Sequence, residues 1–177
     1  MNTDKFILLN SRDGTRLCAR VSAQDYSYLV QFPWSRQTVT RKDGSATYYA
    51  RSKVKLWNKW VEVSMHRIIL GLQCSITGRS LSPLQADHKD GDGLNNTRSN
   101  LRAATHSQNG ANKRKQPGSS RYKGVSWRTQ NQKWRAYIRA SGKQKHLGFF
   151  STELEAACAY DRSAKEQHGQ FALLNGE

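Results

Sequence analysis

An α+β fold made of small modules is predicted, and three observations predict it. β-prone runs bounded by Gly, Asp and Pro turns fill residues 1–63 and recur from Tyr122 to Phe150, while the helical stretches between and after them are short. A basic, turn-forming segment, KRKQPGSS at 113–120, divides the chain. With 177 residues there is room for one ordinary domain or two or three small ones with thin cores, which disfavours a single large enzyme fold. The expected architecture is a β-rich N-terminal part, a strand-strand-helix unit, and a C-terminal three-stranded antiparallel sheet packed on one helix.

Composition narrows the partners. The formal charge is +16 and the pI about 10.2, which suits a polyphosphate and makes nucleic acid the first expectation. Five Trp, seven Tyr and five Phe argue for folded cores rather than a disordered basic tail. Cys18, Cys74 and Cys158 form no C-x-x-C pair, so neither a zinc ribbon nor a disulfide framework is indicated, and a reducing compartment is expected. The first residues start no charged-then-apolar signal, and no apolar run approaches the ~20 residues of a membrane span. A soluble intracellular protein, not secreted and with no membrane partner, is expected.

In the first part, Phe6 to Leu9 and Leu17 to Val21 flank a Ser-Arg-Asp-Gly-Thr turn as a hairpin would. Gln24 to Phe32 reads as a short helix stopped by Pro33, whose ring blocks a continuing helix. Thr47 to Arg51 and Trp57 to Val63 make a later pair of β-prone runs, and Trp34, Tyr48, Tyr49, Trp57 and Trp60 are expected in cores or on sheet faces. No chemistry is assigned to residues 1–63. Met65 to Leu72 (MHRIILGL) is a short apolar helix in which a lone His66 is structural, and Ser75 to Pro83 is a loop.

Charge is distributed unevenly. Residues 1–86 and 113–177 each hold 13 Lys/Arg against 5 Asp/Glu, whereas residues 87–112 hold 3 of each, with all the acids at Asp87, Asp90 and Asp92. Carboxylates gathered in a basic protein can hold a cation where phosphate must also sit. Turn formation explains Asp90 and Asp92, in two Asp-Gly dipeptides, but explains Asp87 poorly. Leu84 to His88 is expected as one strand and Asn100 to Ala104 as its return. Thr105 with Gln108 forms a capping box for a helix that carries Asn109 in its first turn and Asn112 on the same face.

The residue types suggest a division of labour. Asp87 is a hard oxygen donor suited to Mg²⁺, and an Asn carbonyl from the helix is a neutral second ligand of the same kind. Alternation along a strand turns His88 to the other face, where it can act as general base on a water while the ion stabilises the leaving oxygen. Asn100 can orient the imidazole through its amide. A calcium loop counted from Asp90 fails, because its twelfth position is Leu101 and not Glu.

The blocks MHRIILG, ADHKDGDGLNN and SNLRAATHSQNGANK, in that order, closely resemble the H-N-H nucleases of phages and mobile introns, in the branch with Asn where others have the final His. The resemblance covers roughly residues 64–114 and implies a ββα-metal site. It assigns Asp87 and Asn109 as metal ligands, His88 as general base and Asn100 as the supporting Asn. His106, three residues before Asn109, is a rival for the last position. The ion implied is one divalent cation, Mg²⁺ with Mn²⁺ as the alternative, and no zinc site. Lys113, Arg114 and Lys115 follow, suited to a crossing phosphate backbone.

Beyond the linker, Tyr122 to Arg128, Lys133 to Ala140 and Gln144 to Phe150 read as three strands. A capping box of Thr152 and Glu155 then starts a helix that runs to about Gln167, with Gly169 just beyond. Leu154, Ala157, Cys158 and Ala164 follow helical spacing, which makes Cys158 a core residue. Residues 113–147 hold 11 Lys/Arg and no acid, and Arg135, Tyr137 and Arg139 alternate with Trp134, Ala136 and Ile138, so one sheet face is basic. The pattern YKGVSW, KWRAYI, HLGFFSTELEAACAYDRSAKEQHGQFALLN closely resembles the Apetala-two/ethylene-response-factor DNA-binding domain. That resemblance implies a sheet read into the major groove, with contacts from Lys123, Ser126, Arg128, Tyr137, Arg139 and His146 and further backbone contacts from Arg135, Lys143 and Lys145. Ser126, Tyr137 and His146 stand where plant members usually or often have Arg, Glu and Trp, so the plant target sequence does not transfer.

The expected organisation is therefore 1–63 β-rich, 64–114 nuclease, 115–120 linker and 121–177 DNA-binding domain. The expected function is a homing or site-directed nicking endonuclease on double-stranded DNA, leaving 5′-phosphate and 3′-hydroxyl ends. It is expected as a monomer, with a dimer also allowed, in the cytoplasm of a phage-infected or intron-bearing cell. The alternative is a non-catalytic DNA-binding transcriptional regulator whose ββα unit is structural.

Overall fold

The computed structural model describes residues 3–11, 13–41, 43–56, 58–115, 117–140 and 142–176, which form an α+β protein of two compact units, Met1–Thr105 and His106–Glu177. Arg12, Trp57 and Gln116, which enter the turn, strand and linker expectations above, lie outside the described residues.

The first unit begins with β1 (Lys5–Leu9) and β2 (Leu17–Val21), an antiparallel pair in which Leu9 faces Leu17. Strand alternation sends Ile7, Leu9, Ala19 and Val21 into the core and leaves Phe6 and Leu8 outside. α1 (Ala23–Leu29) ends before Phe32, which folds back onto Trp34 with ring centroids 5.5 Å apart. β3 (Trp34–Thr40), β4 (Ala46–Leu56) and β5 (Lys59–Ser64) form an antiparallel sheet with β4 central. β3 is absent from the sequence expectation. Its WSRQTVT run carries only one large apolar anchor, Trp34, and its pairing partner lies beyond a turn. That anchor is fully buried, and its indole Nε1 donates to the Leu29 carbonyl at 2.6 Å. Burial of a side chain of this kind is worth about 1.5–3 kcal/mol.

α2 (Met65–Ile69) follows, placing Met65 and Ile69 in the same core. β6 (Gln85–His88) then pairs antiparallel with β8 (Leu101–Ala104), Asp87 opposite Arg102 and His88 opposite Leu101. Between them the two-residue β7 (Asn95–Asn96) lies parallel to β2, so the loop is tied to the first sheet. A second tie is Arg98, which binds both Asp25 carboxylate oxygens at 2.8–3.1 Å and donates its backbone N–H to Ser22 Oγ.

The second unit opens with α3 (His106–Ala111), followed by β9 (Val125–Arg128), β10 (Lys133–Ala140), β11 (Lys143–Phe150) and α4 (Glu153–His168), which runs into a 3₁₀ turn at Gly169–Phe171. The sheet is antiparallel in the order β11-β10-β9. The capping box of α4 is present with both hydrogen bonds, Thr152 Oγ1 accepting from Glu155 N and Glu155 Oε2 accepting from Thr152 N. Ala156, Ala157 and Ala164 let α4 lie close over Val125, Ala136 and Ile138, with Tyr160 filling the remaining gap.

Cys158 is exposed rather than buried, and so is Leu154. The buried stripe runs through Ala156, Ala157, Tyr160, Ser163 and Ala164, and a residue one position past Ala157 is rotated about 100° away from it. Among the described residues no helix is long and apolar enough to cross a membrane.

Candidate active site

The strand pair β6–β8 sets out two buried functional groups on opposite faces. Asp87 is 3% exposed and His88 is 7% exposed. On one face, Asp87 Oδ2 accepts from Arg102 Nε at 2.7 Å, a cross-strand ion pair that fixes the carboxylate. On the other, His88 lies opposite the buried Leu101 and its ring meets those of His66 (centroids 5.2 Å apart, nearly perpendicular) and Tyr49 (5.9 Å).

Which nitrogen of His88 is basic follows from Asn96. The Asn96 amide Nδ2 donates to the carbonyls of Gly93 and Leu94, so its Oδ1 is the atom turned to His88 Nε2, at 3.4 Å. Oδ1 can only accept. The proton of the neutral ring therefore sits on Nε2, and Nδ1 carries the lone pair. Burial pushes the His88 pKa below its ordinary value, while the contact with Asn96 and the carboxylates of Asp90, Asp87 and Asp92 pull it the other way.

Asn100 is placed differently from the expectation that it orients the imidazole. Its Oδ1 accepts from Asp90 N at 3.1 Å, and its Nδ2 donates to Asp90 Oδ1 and to the Asn95 carbonyl at 2.9 and 2.8 Å. Asn100 thus clamps the ends of the turn, and the amide that meets the imidazole is Asn96. Asp90 and Asp92 serve the turn as expected: Asp90 Oδ1 accepts from Asp92 N, and Asp92 Oδ1 accepts from Leu94 N, each at 2.9 Å. Burial raises the Asp90 pKa, but the hydrogen bonds it accepts from Asn95, Asp92 N and Asn100 outweigh that and hold it below its ordinary value.

Asn96 and Arg102 are neighbours of the Asp87–His88 pair that sequence reasoning did not single out, while His66, read as structural, and Tyr49, read as a core or sheet-face residue, pack against His88. His66 sits on α2 with Nδ1 buried and lacking a hydrogen-bond partner among the described residues. Burial, reinforced by His88, Arg67 and Arg51, pushes its pKa down to about 3. The signal available was the block MHRIILG itself, which places a His in an apolar helix; the contact partner lies 22 residues away and is not local in sequence.

The donor chemistry fits a hard divalent ion. Asp87 offers carboxylate oxygen, and among the described residues no three His, Cys, Asp or Glu side chains gather to enclose a metal. An ion at Asp87 would complete its shell from an amide carbonyl, water and substrate phosphate. Asn109 and its rival His106 both lie on α3. Lys113 and Arg114 are exposed and Lys115 half-buried, all beyond the end of that helix.

In the second unit, strand pairing puts Ser126, Arg128, Arg135, Tyr137, Arg139 and His146 on one face of the sheet, with Ser126 opposite Arg135 and Tyr137 opposite His146. The Arg135 guanidinium lies over the Tyr137 ring at 4.8 Å. Lys143 and Lys145 face Ala140 and Ile138, so they belong to the other side of the edge strand. Lys123 departs from its expected role: its ammonium donates to the Ala111 carbonyl, and burial pushes its pKa down to about 8.

Comparison with known proteins bears on both units. Residues 76–111 match the family model of an HNH endonuclease. The chain is similar to an uncharacterized HNH endonuclease of Acanthamoeba polyphaga mimivirus, 32% identical over 181 residues that cover 98% of this chain and 87% of the relative. It is also similar to Protein 3.8 of Escherichia phage T7, 40% identical over 88 residues, or 49% of this chain and 71% of that protein. A third likeness is to the AP2-like ethylene-responsive transcription factor TOE2 of Arabidopsis thaliana, 42% identical over 57 residues, 32% of this chain and 12% of that protein. No solved structure matches.

Proposed function

The chain belongs to the HNH endonucleases, and from that premise we propose that it is a metal-dependent DNA endonuclease of the homing or site-directed nicking kind, with sequence-specific DNA binding by its C-terminal sheet. The observation that carries the reading is the adjacent pair on β6: a fixed carboxylate on one face and a neutral imidazole with a defined basic nitrogen on the other.

In this reading His88 Nδ1 removes the proton of the attacking water, while Nε2–H remains on Asn96 and holds the ring. Asp87, steadied by Arg102, and Asn109, assigned by the family pattern, hold the divalent ion, Mg²⁺ with Mn²⁺ as the alternative. When bound, the ion supplies charge stabilisation at the leaving 3′ oxygen. Asn100 keeps the turn closed so that β6 and β8 stay in register. Lys113, Arg114 and Lys115 contact the phosphate backbone, and Ser126, Arg128, Arg135, Tyr137, Arg139 and His146 face the major groove, with Lys143 and Lys145 at its edge. The products carry 5′-phosphate and 3′-hydroxyl ends. The protein acts as a monomer in the cytoplasm of an infected or intron-bearing cell.

The test is an end-labelled duplex incubated with protein and Mg²⁺. Cleavage that requires the ion, yields 5′-phosphate ends and disappears in Asp87→Ala is the expected outcome. Tight binding by the wild type without cleavage at any divalent ion would instead mark a DNA-binding regulator.

A further inference from the structure

Residues 1–63 have no role in the reading above, yet their central strand ends at the catalytic imidazole. β4 is a single run of eleven residues, and alternation along it puts Tyr49, Arg51, Lys53 and Lys55 on one face. Tyr49 is the residue whose ring meets both His66 and His88. The three cations that follow are spaced two residues apart, about 6.6–6.8 Å each, so the row leads away from His88 for roughly 20 Å.

That face is built for a polyanion. Lys53 has 70% of its side chain exposed, and Lys55 is exposed too. Opposite Lys55 on β5 stands Trp60, 69% exposed, a large apolar plate that no described core residue covers. The Arg51 guanidinium is half used: Nη1 binds Glu62, while Nε is buried with no partner among the described residues. Glu62 is the acid of this face, and it also lies 4.0 Å from Lys53. The cations outnumber it three to one.

We propose that this face of β4 and β5 is a track for the DNA backbone running into the active site, with Arg51, Lys53 and Lys55 on successive phosphates and Trp60 against a deoxyribose or an unstacked base. The proposal rests on the nuclease reading for its direction, since the track ends at His88. The backbone of one DNA strand winds around an axis along which it rises about 3.4 Å per nucleotide, so neighbouring phosphates lie roughly twice that far apart through space and match cations at alternate strand positions. An exposed Trp beside them adds contact area that a merely solvated charge row lacks.

The test uses the full-length protein in EDTA, a fluorescent duplex and a series of salt concentrations. The variants are Lys53→Gln/Lys55→Gln, Trp60→Ala, and Lys59→Gln as the control. Lys59 is exposed on β5 but pairs with Leu56, on the opposite face. Loss of two phosphate contacts is expected to lower the slope of log K against log salt by about 2 and to weaken binding at least about ten-fold near 0.1 M salt. Trp60→Ala is expected to weaken binding with the slope unchanged, and Lys59→Gln to change neither.

An unchanged slope in the double variant overturns the proposal, as does an equal fall per lysine in Lys59→Gln. Wild-type nicking with Mg²⁺ is measured in parallel. Nicking with an unchanged slope removes the track and keeps the nuclease; a lowered slope without nicking keeps the track and removes the nuclease.

Discussion

In the proposed reading His88 acts as a neutral base, its pKa lowered by burial and its Nε2 turned to the Asn96 amide oxygen. The half-buried rings of His66 and Tyr49 pack against its flanks. His66 carries a consequence for stability. Its folded pKa of about 3 lies below the unfolded value of 6.5, so its neutral form stabilises the fold fully above pH 6.5, and that contribution is lost as pH falls from 6.5 through 3. Thermal melts of the wild type and His66→Phe from pH 7 to pH 4 should show the wild type losing the more stability; parallel curves would contradict the assignment. Asn100→Ala removes three hydrogen bonds from the turn, and urea denaturation should show a loss of about 1–3 kcal/mol.

Elements are held in place here by close approaches that side-chain chemistry alone does not advertise. At Gly93 any Cβ would fall inside the Tyr48 carbonyl oxygen and the Tyr49 ring, so the loop after β6 reaches β4 only without a side chain. Gly93→Ala is expected to cost more than about 2 kcal/mol in a denaturation curve and to reduce nicking, because Tyr49 carries the displacement to His88. Gly124 has φ +72° and its Cβ would enter the Tyr160 ring, which makes it the equivalent point in the second unit.

The elements legible in sequence were those with local punctuation. β1 and β2 alternate around a turn, β6 and β8 flank two Asp-Gly dipeptides, and α4 starts at a complete capping box. What escaped was non-local. β7 is two residues long and exists only because β2 is beside it, and β3 needs β4 to complete it. The Asn that meets His88 could not be told from Asn100, since both lie within twelve residues of it and only the folded turn separates their duties. Cys158 was misplaced because small residues surround it on every side of α4, so spacing alone did not define the buried stripe.

At the scale of the whole molecule, the proposed reading takes its general base and one metal ligand from the first unit, and its second ligand, Asn109, together with the basic sheet face from the second. The Asp87–His88 pair lies in the first, and the basic sheet face with Arg135, Tyr137 and Arg139 lies in the second. Arg139→Ala is expected to reduce discrimination between preferred and random duplexes by about 1–3 kcal/mol while leaving random-site nicking intact, as read by competition binding and plasmid relaxation. The central claim is that His88 is the base of a DNA-hydrolysing site, and supercoiled plasmid incubated with Mg²⁺ tests it most directly. Wild-type protein should convert the plasmid to nicked circles, and His88→Ala should bind it equally well without nicking. Nicking by His88→Ala at the wild-type rate would contradict the account, as would a wild type that binds tightly yet never nicks, even on DNA carrying its own insertion locus.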